Sequence, residues 1–205
     1  MVDKLNFAAI FQAVADKLNE FKEDLNQADD HNYDHGDDMV QIFQAITEAM
    51  DARGDAEPAD QLAYASELLR QRSQSETAQA YADGLERVSQ KFQGQQLSAN
   101  NALDFLLLLF GGGGDSGQQE GSIASFLASF IDDLDDLDVP EMLEGGDFLS
   151  AAMSLLDSKQ LGTSDLEGLV ETLVSSTEIG QLPHRAKSGS LVANTLFNLV
   201  MSMMD

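Results

Sequence analysis

Apolar residues recur at intervals of three and four along most of this chain, a spacing that gathers them on one face of successive helices. Phe7, Ile10, Phe11, Val14, Leu18, Phe21 and Leu25 form the first such stripe and predict one long helix. A polar stretch, Gln27–Asp38, follows it. Met39, Ile42, Phe43, Ile46 and Met50 make a second stripe, which stops near Arg53-Gly54-Asp55 with Pro58 beyond. Leu62, Ala65 and Leu69 predict a third helix over Ala59–Arg70, and Gln71–Glu76 reads as a short polar turn. Ala78, Tyr81, Leu85, Val88 and Phe92 form the next stripe, which Gly94 ends.

Ser98–Phe110 reads as a helix terminated by Gly111–Gly114, whose loop continues to Gly121. Ile123, Phe126, Leu127, Phe130, Ile131 and Leu134 predict another helix, which decays into the acidic Asp132–Asp138 before Pro140. Phe148, Ala152, Leu155 and Leu156 are again helically spaced. Ser164-Asp165-Leu166-Glu167 has the form of a capping box for a helix carrying Leu166, Leu169, Val170 and Leu173. After the stretch Gly180–Gly189, a last helix carries Leu191, Thr195, Leu199 and Met203. No sustained period-two run with β-branched enrichment occurs, so no strand is expected. The pattern predicts an all-α antiparallel bundle or barrel of about eight amphipathic helices, as one domain over residues 1–205 and without internal repeats.

Composition narrows what such a bundle can do. The chain has no cysteine, which excludes disulfides, thiolate catalysis and Cys-ligated zinc. Its formal charge of −25, with 36 acidic residues against 11 Lys and Arg, disfavours nucleic acid and anionic membranes as partners. Dense acidity suits a salt-rich cytoplasm, and the 43% apolar content argues against disorder. The N-terminus lacks a signal-peptide pattern, and the longest apolar run, Phe105–Phe110, is too short to span a bilayer. A cytoplasmic protein is expected.

Candidate chemistry concentrates in Gln27–Asp38, which holds Asp29, Asp30, Asp34, Asp37 and Asp38 with His31, Asn32 and His35. Oxygen and imidazole ligands at that density suit a divalent cation. They equally suit a solvated loop whose aspartates serve as cap and first-turn charges for the helix at Met39. Three other features are open in the same way. Gly111–Gly114 with Asp115-Ser116-Gly117 could cradle a phosphate or simply connect helices, and it lacks the Lys and Ser/Thr of a P-loop. His184-Arg185-Ala186-Lys187 concentrates positive charge and reads either as a phosphate contact or as a surface loop. Met201, Met203 and Met204 suit core or partner-helix packing. Ser73 and Ser75 have no evident His and Asp companions, so nucleophilic catalysis is not supported.

The segment Asn32-Tyr33-Asp34-His35-Gly36-Asp37-Asp38-Met39, set between two long helical stripes, resembles the signature of the nucleotide-binding L domain of dihydroxyacetone kinases. It is also similar to the N-terminal domain of bacterial fatty-acid kinases. The family's phosphate loop looks to be matched by Leu68–Ser75, and its C-terminal loop by Leu182–Ser190, in the same order along the chain. The resemblance implies a barrel of eight antiparallel helices that binds ATP or ADP through magnesium at one end, with the acceptor, dihydroxyacetone, on a partner subunit. It implies Asp34 and Asn32, with Asp29 or Asp30, as metal ligands, and Ser73, Ser75, His184 and Lys187 beside the nucleotide. Phosphoryl transfer of this kind is mainly positioning and charge neutralisation by metal.

The departures from the family pattern carry equal weight. Of three metal aspartates only Asp34 is plainly kept; Asn32 is neutral, and the first falls near Asn26 or Gln27, with Asp29 or Asp30 as substitutes if the loop is rethreaded. The phosphate loop has lost its glycines, with Ser73 and Glu76 standing where backbone should approach phosphate. Lys187 stands where the family has an acid. These changes predict weakened or abolished magnesium-nucleotide binding. Two readings follow: a kinase domain of the L type, or a non-catalytic relative serving as a protein-interaction or apolar-ligand-binding helical module.

Overall fold

The computed structural model describes residues 6–94, 102–110, 174, 177, 179 and 183–202. These are about 81% helical, and none lies in a strand. The helices are α1 (Phe7–Glu20), α2 (Lys22–Gln27), α3 (His35–Ala52), α4 (Pro58–Arg72), α5 (Glu76–Lys91), α6 (Ala102–Leu109) and α7 (Pro183–Ser202). The Gly111–Gly114 loop, the helices expected around Ile123–Leu134, Phe148–Leu156 and Leu166–Leu173, the acidic Asp132–Asp138, and Met203 and Met204 lie outside the described residues.

Four of the N-termini have a local cause. Asn6 caps α1 by accepting from the Ala9 amide at 3.2 Å, and Ser75 caps α5 by accepting from the Ala78 amide at 3.2 Å. Pro58 and Pro183 open α4 and α7, where a fixed φ and a missing N–H cost nothing. Gly94 takes φ +70 just past α5, a conformation open to glycine. Short connections at Arg53–Glu57 and Ser73–Ser75 turn α4 back along α3 and α5 back along α4, so each pair packs side by side.

The stripes on the described helices form one core. α1 packs on α3 and on α7, α3 on α4, and α5 on α4 and α6. Phe11, Phe43 and Tyr81 meet in sequence, with ring centroids 6.1 Å and 5.1 Å apart, and Tyr81 meets Phe110 at 5.9 Å. On the other side Phe7 touches Phe105, which touches Phe92. Such tilted and edge-on pairs add to the area that each ring buries. Gly84 lets α5 lie directly on the backbone of α6, since a Cβ there would overlap the Leu109 carbonyl.

Three boundaries differ from the sequence expectation. The first helix is broken at Phe21, whose dihedrals (φ −100, ψ 10) leave the helical range, and α2 restarts with Leu25 still buried. The break lets the Lys22 carbonyl meet Gly36, a tertiary contact that no local pattern contains. α3 begins at His35 rather than Met39, so His35 and Gly36 are helical. α7 begins at Pro183, so His184–Lys187 is the first turn of a helix and not a loop. Gly189, read as a loop residue, sits inside α7 because a Cβ there would come within 2.8 Å of Val174 Cγ1. No described helix is long and apolar enough to cross a membrane.

Candidate functional site

Three stretches distant in sequence meet at one end of the bundle: the 28–38 segment, the Ser73–Glu76 turn and the first turns of α7. Their junctions are side-chain contacts. His35 Nε2 lies 2.8 Å from Ser188 Oγ, and the His35 ring sits edge-on to His184 with centroids 4.9 Å apart. Ser188 Oγ donates to the Arg185 carbonyl at 3.0 Å, which leaves its lone pairs to accept from His35. Arg185 reaches Glu76 Oε2 at 2.8 Å and so ties α7 to the start of α5. Lys187 Nζ donates to the Asp24 carbonyl at 3.2 Å.

His35 is 4% exposed and Ser188 is 1% exposed, so this link is internal. Burial, followed by the His184 ring, pushes the His35 imidazole down from 6.5 to about 4, against the pull of Asp29. His35 is therefore neutral at physiological pH, and with the Ser188 hydroxyl proton given to the Arg185 carbonyl it donates from Nε2.

The loop between α2 and α3 is organised from within by Asp29. Its carboxylate is 3% exposed and accepts the His31 amide at 3.0 Å. Burial pushes its pKa up. The His31 amide, the fields of His184 and His35, and the Asp34 amide outweigh that push, and the net direction is below the usual carboxylate range. Tyr33, beside it, takes φ +60 and is 63% exposed.

The N-terminus of α3 is capped from a distance. Asp34 stands at the N-cap position but makes no side-chain cap. Asn26 of α2 does so instead: its Oδ1 accepts from the Gly36 amide at 2.6 Å and the Asp37 amide at 3.3 Å, while its Nδ2 donates to Asp37 Oδ2 at 2.9 Å. Lys22 completes the set with an ion pair to Asp37 Oδ1 at 3.1 Å. The Asn26 hydrogen bond, then Lys22, lowers the Asp37 pKa. Gly36 is required because a Cβ would overlap the Lys22 carbonyl and stand 2.8 Å from Asn26 Oδ1. The sequence pairing of His35 with Gly36 thus reflects a crossing of two helix ends.

Of the four expected metal ligands, Asp29 points inward to backbone amides, whereas Asp30, Asn32 and Asp34 are exposed. Among the described residues no group of three or more His, Asp and Glu side chains converges as a metal site. Ser73 and Ser75 bond to each other, Oγ to Oγ at 3.2 Å, while Ser75 also caps α5. Both nonetheless line a cleft of about 450 Å³ between α3 and α4, with Asp38, Gln41, Ile42, Gln44, Ala45, Glu48, Leu69 and Arg72. Arg72 is ion-paired to Glu48 across this cleft. Asp38 has no hydrogen-bond or cationic partner among the described residues; burial, then Asp34, Asp37 and Asp29, raises its pKa.

Ser188 and the internal role of Asn26 escaped the sequence reading. Both depend on which helix ends meet, and no spacing rule encodes that. Asp38 was read as a first-turn charge, which it is, but its place on the cleft follows from α4. Compared with known proteins, the chain matches no family model, no curated protein sequence and no solved structure.

Proposed function

We propose that this chain is a cytoplasmic antiparallel helical barrel related to the L domain of the dihydroxyacetone kinases, in which the nucleotide end is closed by its own side chains. It works as a non-catalytic module that associates with another protein. The observation that carries the reading is that several candidate ligand groups are committed to other parts of the chain, while Asp30, Asn32 and Asp34 are exposed and converge on no metal site among the described residues. Asp29 accepts the His31 amide, Ser75 caps α5, Arg185 pairs with Glu76, and Lys187 donates to the Asp24 carbonyl. The meeting of all three resembling segments at one end supports the kinship. The engagement of Asp29, Ser75, Arg185 and Lys187 and the lack of converging carboxylates among the described residues support the loss of phosphoryl transfer, which needs anionic oxygens gathered on magnesium and open amides for phosphate.

Isothermal titration of the protein with magnesium-ADP at pH 7.5 tests the proposal. The expected result is no binding heat at millimolar nucleotide. Micromolar binding overturns it in favour of a working kinase domain. In that case Asp34 and Asn32, with Asp29 or Asp30, hold magnesium, Ser73 and Ser75 with His184 and Lys187 contact ATP, and a partner subunit carries the hydroxylated acceptor.

A further inference from the structure

Most of the described cations are spent joining one helix to another. Lys22 of α2 pairs with Asp37 of α3, Arg72 of α4 with Glu48 of α3, and Arg185 of α7 with Glu76 of α5. Arg70 of α4 holds both Asp83 and Glu86 of α5. Three more are turned to uncharged partners: Arg53 lies over the Tyr64 ring, Arg87 donates to the Leu108 carbonyl, and Lys187 donates to the Asp24 carbonyl.

Little positive charge is left for the outer carboxylates. Asp30, Asp51 and Asp55 are exposed and have no hydrogen-bond or ionic partner among the described residues. Over the whole sequence 36 acidic side chains stand against 11 Lys and Arg, a net charge of −25. Two effects of salt then compete. Screening weakens the described ion pairs, all of them partly exposed, and such pairs are individually worth little. Screening also relieves the mutual repulsion of the unmatched charges, which grows with the square of the net charge and is stronger in the compact chain than in the expanded one. At a net charge of −25 the second effect is the larger.

We infer that this fold depends on salt: high ionic strength drives the chain to its compact state, and low ionic strength loosens it. The reach of the charges sets the range. The screening length is about 30 Å at 0.01 M, which is roughly the length of the 20-residue α7, so charges at opposite ends of the bundle repel one another. At 1 M it is about 3 Å, and only nearest neighbours still interact. The salt cations act as a diffuse atmosphere and require no binding site, so potassium and sodium serve alike. This inference goes beyond the proposed function and does not rest on it, since a chain that binds nucleotide would show the same dependence.

The test is urea unfolding of the full chain at pH 7.5, followed by far-UV circular dichroism, in a series of potassium chloride concentrations from about 0.01 M to about 2 M. The midpoint is expected to rise by about 1 M urea or more across the series, with the same rise in sodium chloride. A chain already unfolded in the lowest salt, whose helical signal returns as salt is added, is the same result in stronger form. A second protein carries Asp30→Lys, Asp51→Lys and Asp55→Lys, exposed positions with no described partner to lose. These changes bring the net charge to about −19 and cut its square by about 40%, so the variant's midpoint should be higher at 0.01 M and its gain with salt smaller by a similar fraction. A parent midpoint that is flat or falls with salt overturns the inference, as does a variant whose gain equals the parent's. Should the variant fail to fold in any salt, the parent series alone decides the matter.

Discussion

Acidification should unlock the end of the bundle where His35 is buried, and the size of the effect can be worked from its environment. The folded chain holds the His35 imidazole near 4, whereas an unfolded chain titrates it near 6.5. The unfolded state therefore takes up the proton first. Stability tied to this group is fully present above pH 6.5 and is lost as pH falls towards 4. Linkage across that window gives a loss of up to about 0.8 kcal/mol at pH 6 and up to about 2 kcal/mol at pH 5, relative to pH 8. The many surface carboxylates also titrate below pH 5, so the comparison needs a reference that shares them. His35→Gln supplies it, being untitratable at that position and otherwise identical in charge. Urea unfolding midpoints measured for both proteins from pH 8 to pH 5 should diverge in slope, with the parent losing more stability on acidification than the variant. Parallel pH profiles would refute the reasoning, as would a ring titration of His35 near 6.5 followed by NMR.

Gly36→Ala should destabilise the chain by about 3 kcal/mol in urea unfolding, because its Cβ overlaps the Lys22 carbonyl and crowds Asn26 Oδ1; a loss under about 1 kcal/mol would mean that α2 can move aside. Tyr81 is fully buried and its hydroxyl has no hydrogen-bond partner among the described residues, and burial drives its pKa upward. Tyr81→Phe should accordingly raise stability by about 1 kcal/mol, and a loss of similar size would show that the hydroxyl is satisfied.

Much of the described fold was legible in the sequence, and the reason is periodicity. Phe11, Val14, Leu18, Phe43, Ile46, Leu62 and Leu85 are all fully buried, and each had been placed on an inward face by spacing alone. The same logic located α4 and α5, because Pro58, the polar Gln71–Glu76 stretch and Gly94 are local punctuation, although Gln71, Arg72 and Glu76 proved helical. What spacing could not supply is the crossing of ends. The break at Phe21 accompanies the close approach of the Lys22 carbonyl to Gly36, and Gly189 inside α7 lies close against Val174; both are contacts between elements. At the candidate site the residue types were visible but not their partners. Asp29 carried the sign of a metal ligand, yet its hydrogen bond is to an amide two residues away. Asn26 was read as a neutral replacement for an acid, and it is the cap of a helix that begins nine positions later.

The account rests on an end of the bundle whose chemical groups satisfy one another. A crystal structure grown from millimolar magnesium-ADP tests this most directly. The account predicts that His35 Nε2 remains in hydrogen-bond contact with Ser188 Oγ, Arg185 remains paired with Glu76, and no nucleotide lies beside the Ser73–Glu76 turn. Density for ADP there, with magnesium held by Asp34 and its neighbours and the Arg185 pair opened, would contradict it.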